Sequence, residues 1–328
     1  MLGFGESYER IVKIVALEEH TFPRDILQAA GLDLGSRASR KADELNDLGE
    51  GRLCTMDAAG VDLQVLSALA HVVQQLEPTR AAEVSCALND SMAATVTAHP
   101  DRFRAFATLP MSAAEQAVSE LCRAVERLGF LGAMIHGQTN GVFLDHPSVE
   151  PVLACAERLG VPIYLHPAPP PPAVQEAYYS GLQPDLAAAL ATAGWGWHAE
   201  CGMHVLRMIV AGVFERHPAL QLIVGHMGEG LPFSLARADD MLSPLTKGHA
   251  ASVAETVQRN VYITTSAYTT IAPLQCALTV LGADRILFSV DHPFADSAQA
   301  TAFLLTAPLS PGDREKIAHG NAERVLGL

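Results

Sequence analysis

Glu18 and His20 stand two residues apart at the end of an apolar run, Val15-Ala-Leu-Glu-Glu-His20. Three later runs close in the same manner: Ile163-Tyr-Leu-His-Pro167, Ile223-Val-Gly-His-Met-Gly-Glu229 and Phe288-Ser-Val-Asp-His-Pro293. Residues two apart on a strand share a side, so Glu18 and His20 can face one ion while Glu19 faces away. His166 and Asp291 would complete a set of nitrogen and oxygen donors. That set suits one divalent ion per chain, Zn²⁺ or Mn²⁺, and without thiolates zinc has no decisive advantage. A position left open for water or substrate would make the centre catalytic rather than structural.

Taken singly, each of these residues has a plainer explanation. A histidine at a strand end is commonly just hydrogen-bonded, and Glu18 or Asp291 could cap the helix that follows. Their joint placement at strand ends is what points to a shared centre. Glu229 is either a first-turn carboxylate favoured by a helix dipole or the group that orients His226. Arg52 and Arg237 are either surface charges or forks for a substrate carboxylate. His136, His198 and His204 are weaker candidates, the last two better suited to packing within a helix. Trp195 and Trp197 either wall a site or pack.

The elements that must position these groups follow one rhythm. Short runs rich in Val, Ile, Leu and Phe predict strands at Lys13–His20, Leu63–Ala68, Phe103–Leu109, Gly132–Gly137, Pro162–His166, Leu220–His226, Val261–Ser266 and Arg285–Asp291. Near-continuous apolar character fits strands buried on both faces of a parallel sheet. Helical patterns fall between them: Arg80–Ala98, a helix capped by Ser112 and ended by Gly129, His198–Arg216, Leu231–Met241, and Pro311–Val325 capped by Ser310. The alternation predicts a single α/β domain over residues 1–328, a closed (β/α)8 TIM barrel, with an open sheet as the alternative. In such a barrel all strand C-termini open onto one face, so residues far apart in sequence meet there. Two long loops, Phe22–Asp47 and the proline-rich Pro167–Pro184, are expected to shape that mouth.

Composition narrows the partners. The formal net charge is −14, which excludes a general basic surface for nucleic acid and makes a membrane surface an improbable partner. A small anionic substrate is still compatible, because a metal or a few arginines invert the local field. Six cysteines lie far apart with no CxxC pair, as expected of free thiols in a reduced cytosol. Met1–Arg10 does not read as a signal peptide, and no apolar run reaches the ~20 residues of a membrane helix.

The chain resembles the amidohydrolase-related metal-dependent decarboxylases: the γ-resorcylate, 5-carboxyvanillate and aminocarboxymuconate-semialdehyde enzymes. The resemblance rests on Val15-Ala-Leu-Glu-Glu-His20, Arg52-Leu-Cys-Thr-Met-Asp-Ala-Ala-Gly60, Tyr164-Leu-His-Pro167, Gly225-His-Met-Gly-Glu-Gly-Leu-Pro232 and Leu287-Phe-Ser-Val-Asp-His-Pro-Phe294. It is greatest to the γ-resorcylate branch. It implies Glu18, His20, His166 and Asp291 as metal ligands, with His226 beside the bound water or substrate. It implies Arg52, and Arg237 reaching into a neighbouring subunit's site, as contacts to a small carboxylated aromatic substrate. It also implies a homodimer or homotetramer. His292 replaces a usual Trp, and His136 stands where Asn is frequent; His292 and Phe294 are expected to line the pocket.

The resemblance further implies non-oxidative decarboxylation of a hydroxylated aromatic acid. Asp291 would protonate the ring carbon, with His226 and Glu229 assisting. The rival is hydrolysis of a lactone or amide by the same ligands, since fold alone does not decide. A third reading is a binding barrel that has lost its chemistry.

Overall fold

The computed structural model describes residues 12–328; the segment Met1–Arg10 read above lies outside them. Nine strand segments run in chain order: β1 Val15–Thr21, β2 Leu63–Ala68, β3 Phe103–Ala105, β4 Ala107–Thr108, β5 Ala133–His136, β6 Ile163–His166, β7 Leu222–Val224, β8 Val261–Thr264 and β9 Ile286–Leu287. β1 to β3 pair parallel in sequence order, and so do β4 to β9. β3 and β4 are one strand interrupted at Phe106, whose N–H donates to Leu66 O at 2.9 Å while Leu131 N–H donates to Ala105 O. Across the remaining seam Asp291 N–H donates to Glu18 O at 3.1 Å and His20 N–H to His292 O at 2.7 Å. Last strand and first strand are thereby joined, in the (β/α)8 arrangement.

Alternation along the strands sorts the core into two layers. Val15, Leu17, Tyr164, Ile223 and Tyr262 form the inner cluster with Val65, Phe106 and Met134. Their neighbours Ala16, Ile163, Leu165, Val224 and Ile263 pack outward in the larger cluster beneath the helices. In β1 the register slips between Ala16 and Glu19, which pair with Gln64 and Leu66 respectively. One surplus residue is a bulge, and it inverts the alternation beyond it. Strict alternation from Val15 and Leu17 would bring Glu19 inward; the bulge brings Glu18 and His20 instead. The Ser289 hydroxyl holds it in place, accepting from Leu17 N–H at 3.3 Å and Glu18 N–H at 2.6 Å.

Several elements depart from the sequence reading. The last strand keeps ladder pairing only over Ile286–Leu287. Beyond it, side chains take over the backbone groups: Ser289 bonds β1, and Val290 N–H donates to Glu19 Oε1 at 2.9 Å. Ser112 does not cap its helix, which starts at Ala114; Gly129, with φ 71°, does end it. The helix expected over His198–Arg216 is Gly196–Val210 followed by Val213–Arg216, broken at Gly212 with φ 74°. Ser310 does cap the final helical stretch, accepting from Asp313 N–H at 3.1 Å, but a π segment over Lys316–Gly320 interrupts it. The first long loop carries short helices at Arg24–Ala30, Ser36–Ser39 and Ala42–Asn46. The proline-rich loop continues into helices Pro172–Tyr179 and Pro184–Ala191, each with proline in its first turn, where no N–H is needed.

Candidate metal centre

Glu18, His20, His166 and Asp291 converge at the C-terminal end of the barrel, with one donor atom from each lying within 4.8 Å of the others. All four side chains are buried. His166 Nε2 stands 3.1 Å from Glu18 Oε1, and His20 Nε2 is 3.4 Å from Asp291 Oδ1 and 3.8 Å from Glu18 Oε1. Donors ~2.1 Å from one ion at tetrahedral angles lie ~3.4 Å apart, so these spacings match a common cation.

The remaining atoms of these residues are committed elsewhere, which fixes what each presents inward. Glu18 Oε2 accepts from the hydroxyls of Tyr164 and Ser266, leaving Oε1. His166 Nδ1–H donates to Pro167 O at 2.7 Å, leaving the Nε2 lone pair. His20 Nδ1 lies 3.2 Å from Ser67 Oγ. Glu18 Oε1 and His20 Nε2 are buried without any hydrogen-bond partner among the described residues. Two orphaned acceptor-capable atoms aimed at one point, flanked by a second imidazole and carboxylate, fit a divalent ion bound by N and O donors. Gly225 is required beside them: a Cβ there would sit 2.6 Å from Glu18 Oε2.

Charges inside the centre are strongly coupled. Burial raises the pKa of Glu18, but the charge of His226 and the close imidazoles of His166 and His20 outweigh it and hold the carboxyl well below its usual range. Asp291 is lowered too, burial being overcome by the neighbouring imidazoles of His20 and His226. Burial disfavours a charged His20, yet Asp291 and Glu18 raise it to about 9. His226 is raised well above the ordinary imidazole value, chiefly by Glu18 and Glu229 against burial.

His226 follows β7 in a left-handed turn, with φ 49° at His226, 56° at Met227 and 54° at Glu229. Non-glycine residues rarely adopt this region, and such strain gathers at functional sites. The turn points His226 Nε2 toward Asp291 Oδ2 at 3.7 Å. Behind it, Glu229 Oε1 accepts from His226 Nδ1–H at 2.8 Å, and Glu229 Oε2 meets His198 Nδ1. Glu229 thus orients His226, and it precedes the helix Leu231–Leu242 rather than lying in its first turn. His198, expected to pack, belongs to this chain of polar groups, while His204 does pack, accepting from Leu144 N–H at 2.8 Å.

Above the centre lies a cavity of about 770 Å³, walled by His166, His226, Asp291, Phe294 and Trp197. That is the size of a small-molecule site. The first long loop contributes Leu34, Arg37 and Arg40 to the wall, and the proline-rich loop contributes Pro167 and Pro169. Arg37 also stacks 5.1 Å over the Phe294 ring. Neither arginine stood out in the sequence, because the polar loop has no periodicity to single them out. Trp195 points to solvent.

Arg52, Arg237 and His292 are not in the cavity wall. Arg52 is buried behind β1, where Nε donates to Gln64 Oε1 at 2.7 Å and Nη1 to His20 O at 2.9 Å; its Nη2 has no partner among the described residues. Gln64 Nε2 in turn donates to Glu19 Oε2 at 3.1 Å, and burial raises the Glu19 carboxyl to about 8. Arg237 is exposed on the helix Leu231–Leu242. His292 is buried, and burial lowers its imidazole to about 3. His136 is fully buried, with neither ring nitrogen partnered among the described residues and its ring 4.6 Å from that of His166. Arg52→Ala is expected to lower the thermal midpoint and to raise the metal dissociation constant, since it unpairs Gln64 and the His20 carbonyl. The cost is about 3 kcal/mol. Calorimetry with and without added Mn²⁺ checks this; an unchanged melt with only KM raised would show a contact to substrate alone.

The pattern of a family described as amidohydrolase matches residues 20–328. The chain is 36% identical over 325 residues to a decarboxylase, orsB, of Emericella nidulans, covering 95% of this chain and 96% of the relative. It is 36% identical over 326 residues to a γ-resorcylate decarboxylase of a Polaromonas species, covering 96% and 98%. A crystal structure of a Polaromonas dihydroxybenzoic acid decarboxylase, with bound manganese and the inhibitor 2-nitroresorcinol, superposes with a TM-score of 0.87 at 34% identity, covering 97% of each chain.

Proposed function

The chain belongs to the amidohydrolase family, and from that premise we propose that it is a metal-dependent decarboxylase releasing CO₂ from a hydroxylated aromatic carboxylic acid. The observation that carries this is the convergence of Glu18 Oε1, His20 Nε2, His166 and Asp291 beneath a cavity large enough to admit such an acid. The same cage would suit hydrolysis. Relatives that span almost the whole chain and are named as decarboxylases favour C–C cleavage.

One divalent ion held by Glu18, His20, His166 and Asp291 would supply Lewis-acid polarisation and a fixed pose for the carboxylate and adjacent phenolic oxygen. Manganese is favoured by its presence in the Polaromonas structure. His226, raised in basicity and 3.7 Å from Asp291, holds the proton that Asp291 passes to the ring carbon bearing the carboxylate. The C–C bond then breaks, its electron pair restores the aromatic ring, and CO₂ leaves. Glu229 keeps His226 in the orientation this needs. Phe294 and Trp197 supply apolar walls for the ring. Arg37 and Arg40 at the rim draw in an anion against the net charge of −14. For Arg52 we propose a role in the frame behind β1, and for Arg237 one across a subunit contact.

Exposed apolar side chains, with Phe233 88% and Leu245 76% accessible, support a homodimer or homotetramer. Six free cysteines support a reducing, cytoplasmic setting. No helix among the described residues is long and apolar enough to cross a membrane.

Incubation of the Mn²⁺-loaded protein with 2,6-dihydroxybenzoate is expected to yield resorcinol and CO₂ in equal amounts. Absence of CO₂ from a panel of hydroxybenzoates, or water taken up into a ring-opened product, would overturn the assignment.

A further inference from the structure

Two thiols meet on the outside of the barrel. Cys122, on the helix Ala114–Leu128, and Cys155, on the helix Glu150–Leu159, bring their sulfurs to 3.3 Å. The residues lie 33 positions apart, so the contact is made by the packing of neighbouring helices and not by local sequence. Arg158 Nη2 is 3.2 Å from the Cys122 sulfur and 3.4 Å from that of Cys155. Cys122 is partly accessible, whereas Cys155 is buried.

We propose that Cys122 and Cys155 form a redox-reactive dithiol that closes to a disulfide by exchange with an oxidised low-molecular-weight thiol such as oxidised glutathione. A reactive thiol needs access and a neighbouring positive charge, and Cys122 has both. Its thiolate attacks one sulfur of the glutathione disulfide, forming a mixed disulfide and expelling one glutathione thiolate. Cys155 loses its proton to solvent and attacks the Cys122 sulfur, expelling the second. Two protein thiols are oxidised, one external disulfide is reduced to two thiols, and no other reactant is needed. Burial and the Cys122 sulfur raise the Cys155 thiol to about 11, which leaves the first attack to Cys122; in the second step the target of Cys155 already lies beside it. Closure brings the sulfurs from 3.3 Å to a bond of about 2.05 Å. The other thiols serve as controls: Cys54 is exposed, and Cys201 is buried with its sulfur directed at the Leu165 carbonyl.

The metal-loaded full chain is incubated in mixtures of oxidised and reduced glutathione, quenched in acid, alkylated, digested and mapped by mass. In the wild type the expected product is a cross-linked peptide pair holding Cys122 and Cys155, lighter by two hydrogens and free of glutathione. Cys155→Ser should instead retain glutathione on Cys122, and Cys122→Ser should leave Cys155 reduced. A glutathione adduct persisting on Cys122 in the wild type would overturn the proposal. So would both thiols remaining alkylated in mixtures that modify Cys54.

Discussion

Asp291→Asn is expected to lower kcat by about 10³-fold while the protein stays folded and retains metal. Asparagine is nearly isosteric, keeps an oxygen donor, and tolerates the left-handed backbone that residue 291 adopts at φ 74°. Its amide cannot carry a proton to carbon. The geometry separates these duties: Oδ1 lies 3.4 Å from His20 Nε2 on the ligand side, and Oδ2 lies 3.7 Å from His226 Nε2 on the proton side. Alanine would remove both duties and strain the turn, so it would not discriminate. CO₂ release measured beside the metal content of the same sample decides the matter. Activity within tenfold of wild type at full occupancy would move the proton to another group. Loss of activity in proportion to loss of metal would leave Asp291 as a ligand alone.

Chelation should abolish turnover by a larger factor, and Mn²⁺ should restore it. The metal-free cage is protonated: His20 titrates at about 9, pushed up by Asp291 and Glu18 against burial. An ion can bind Nε2 only when that proton leaves. The loaded state therefore holds fewer protons than the metal-free state, and affinity must rise with pH. The rise extends through the acid range up to about pH 9 and then levels off. Each displaced proton contributes about tenfold per pH unit. Competition with a chromophoric chelator across this interval measures the slope, and a flat profile would mean that His20 is not a ligand. At about a thousandfold excess over the dissociation constant, loading should stabilise the fold by about 4 kcal/mol. The thermal midpoint reports it independently of turnover.

Much of this centre is legible in the sequence because the barrel imposes a simple rule. Apolar runs become buried strands, and their last residues share one face, so His166, His226 and Asp291 are placed by counting runs. Glu18 and His20 are paired by the two-residue period, but the period does not say which side they face. That depends on a surplus residue in β1, set by the Ser289 hydroxyl 271 positions away from Glu18. Arg37 and Arg40 lie in a loop whose path is set by tertiary packing, with no period of its own. Arg52 sits in a sequence motif that marks its importance without its direction; only the placement of Gln64 and the His20 carbonyl shows that it faces β1. The short ladder of β9 reflects the same competition, since Ser289 and Glu19 offer backbone groups better partners than a neighbouring strand.

The irregularity in β1 also divides labour between two identical side chains. Glu18 is driven to ionise, while Glu19, one peptide further on, is kept protonated up to about pH 8. Were the strand to run on regularly from Leu17, Glu19 would face the lumen, and Glu18 and His20 would turn outward beneath the helices. Both glutamates would still be read in the gene, yet the cation would lose two of its four holders.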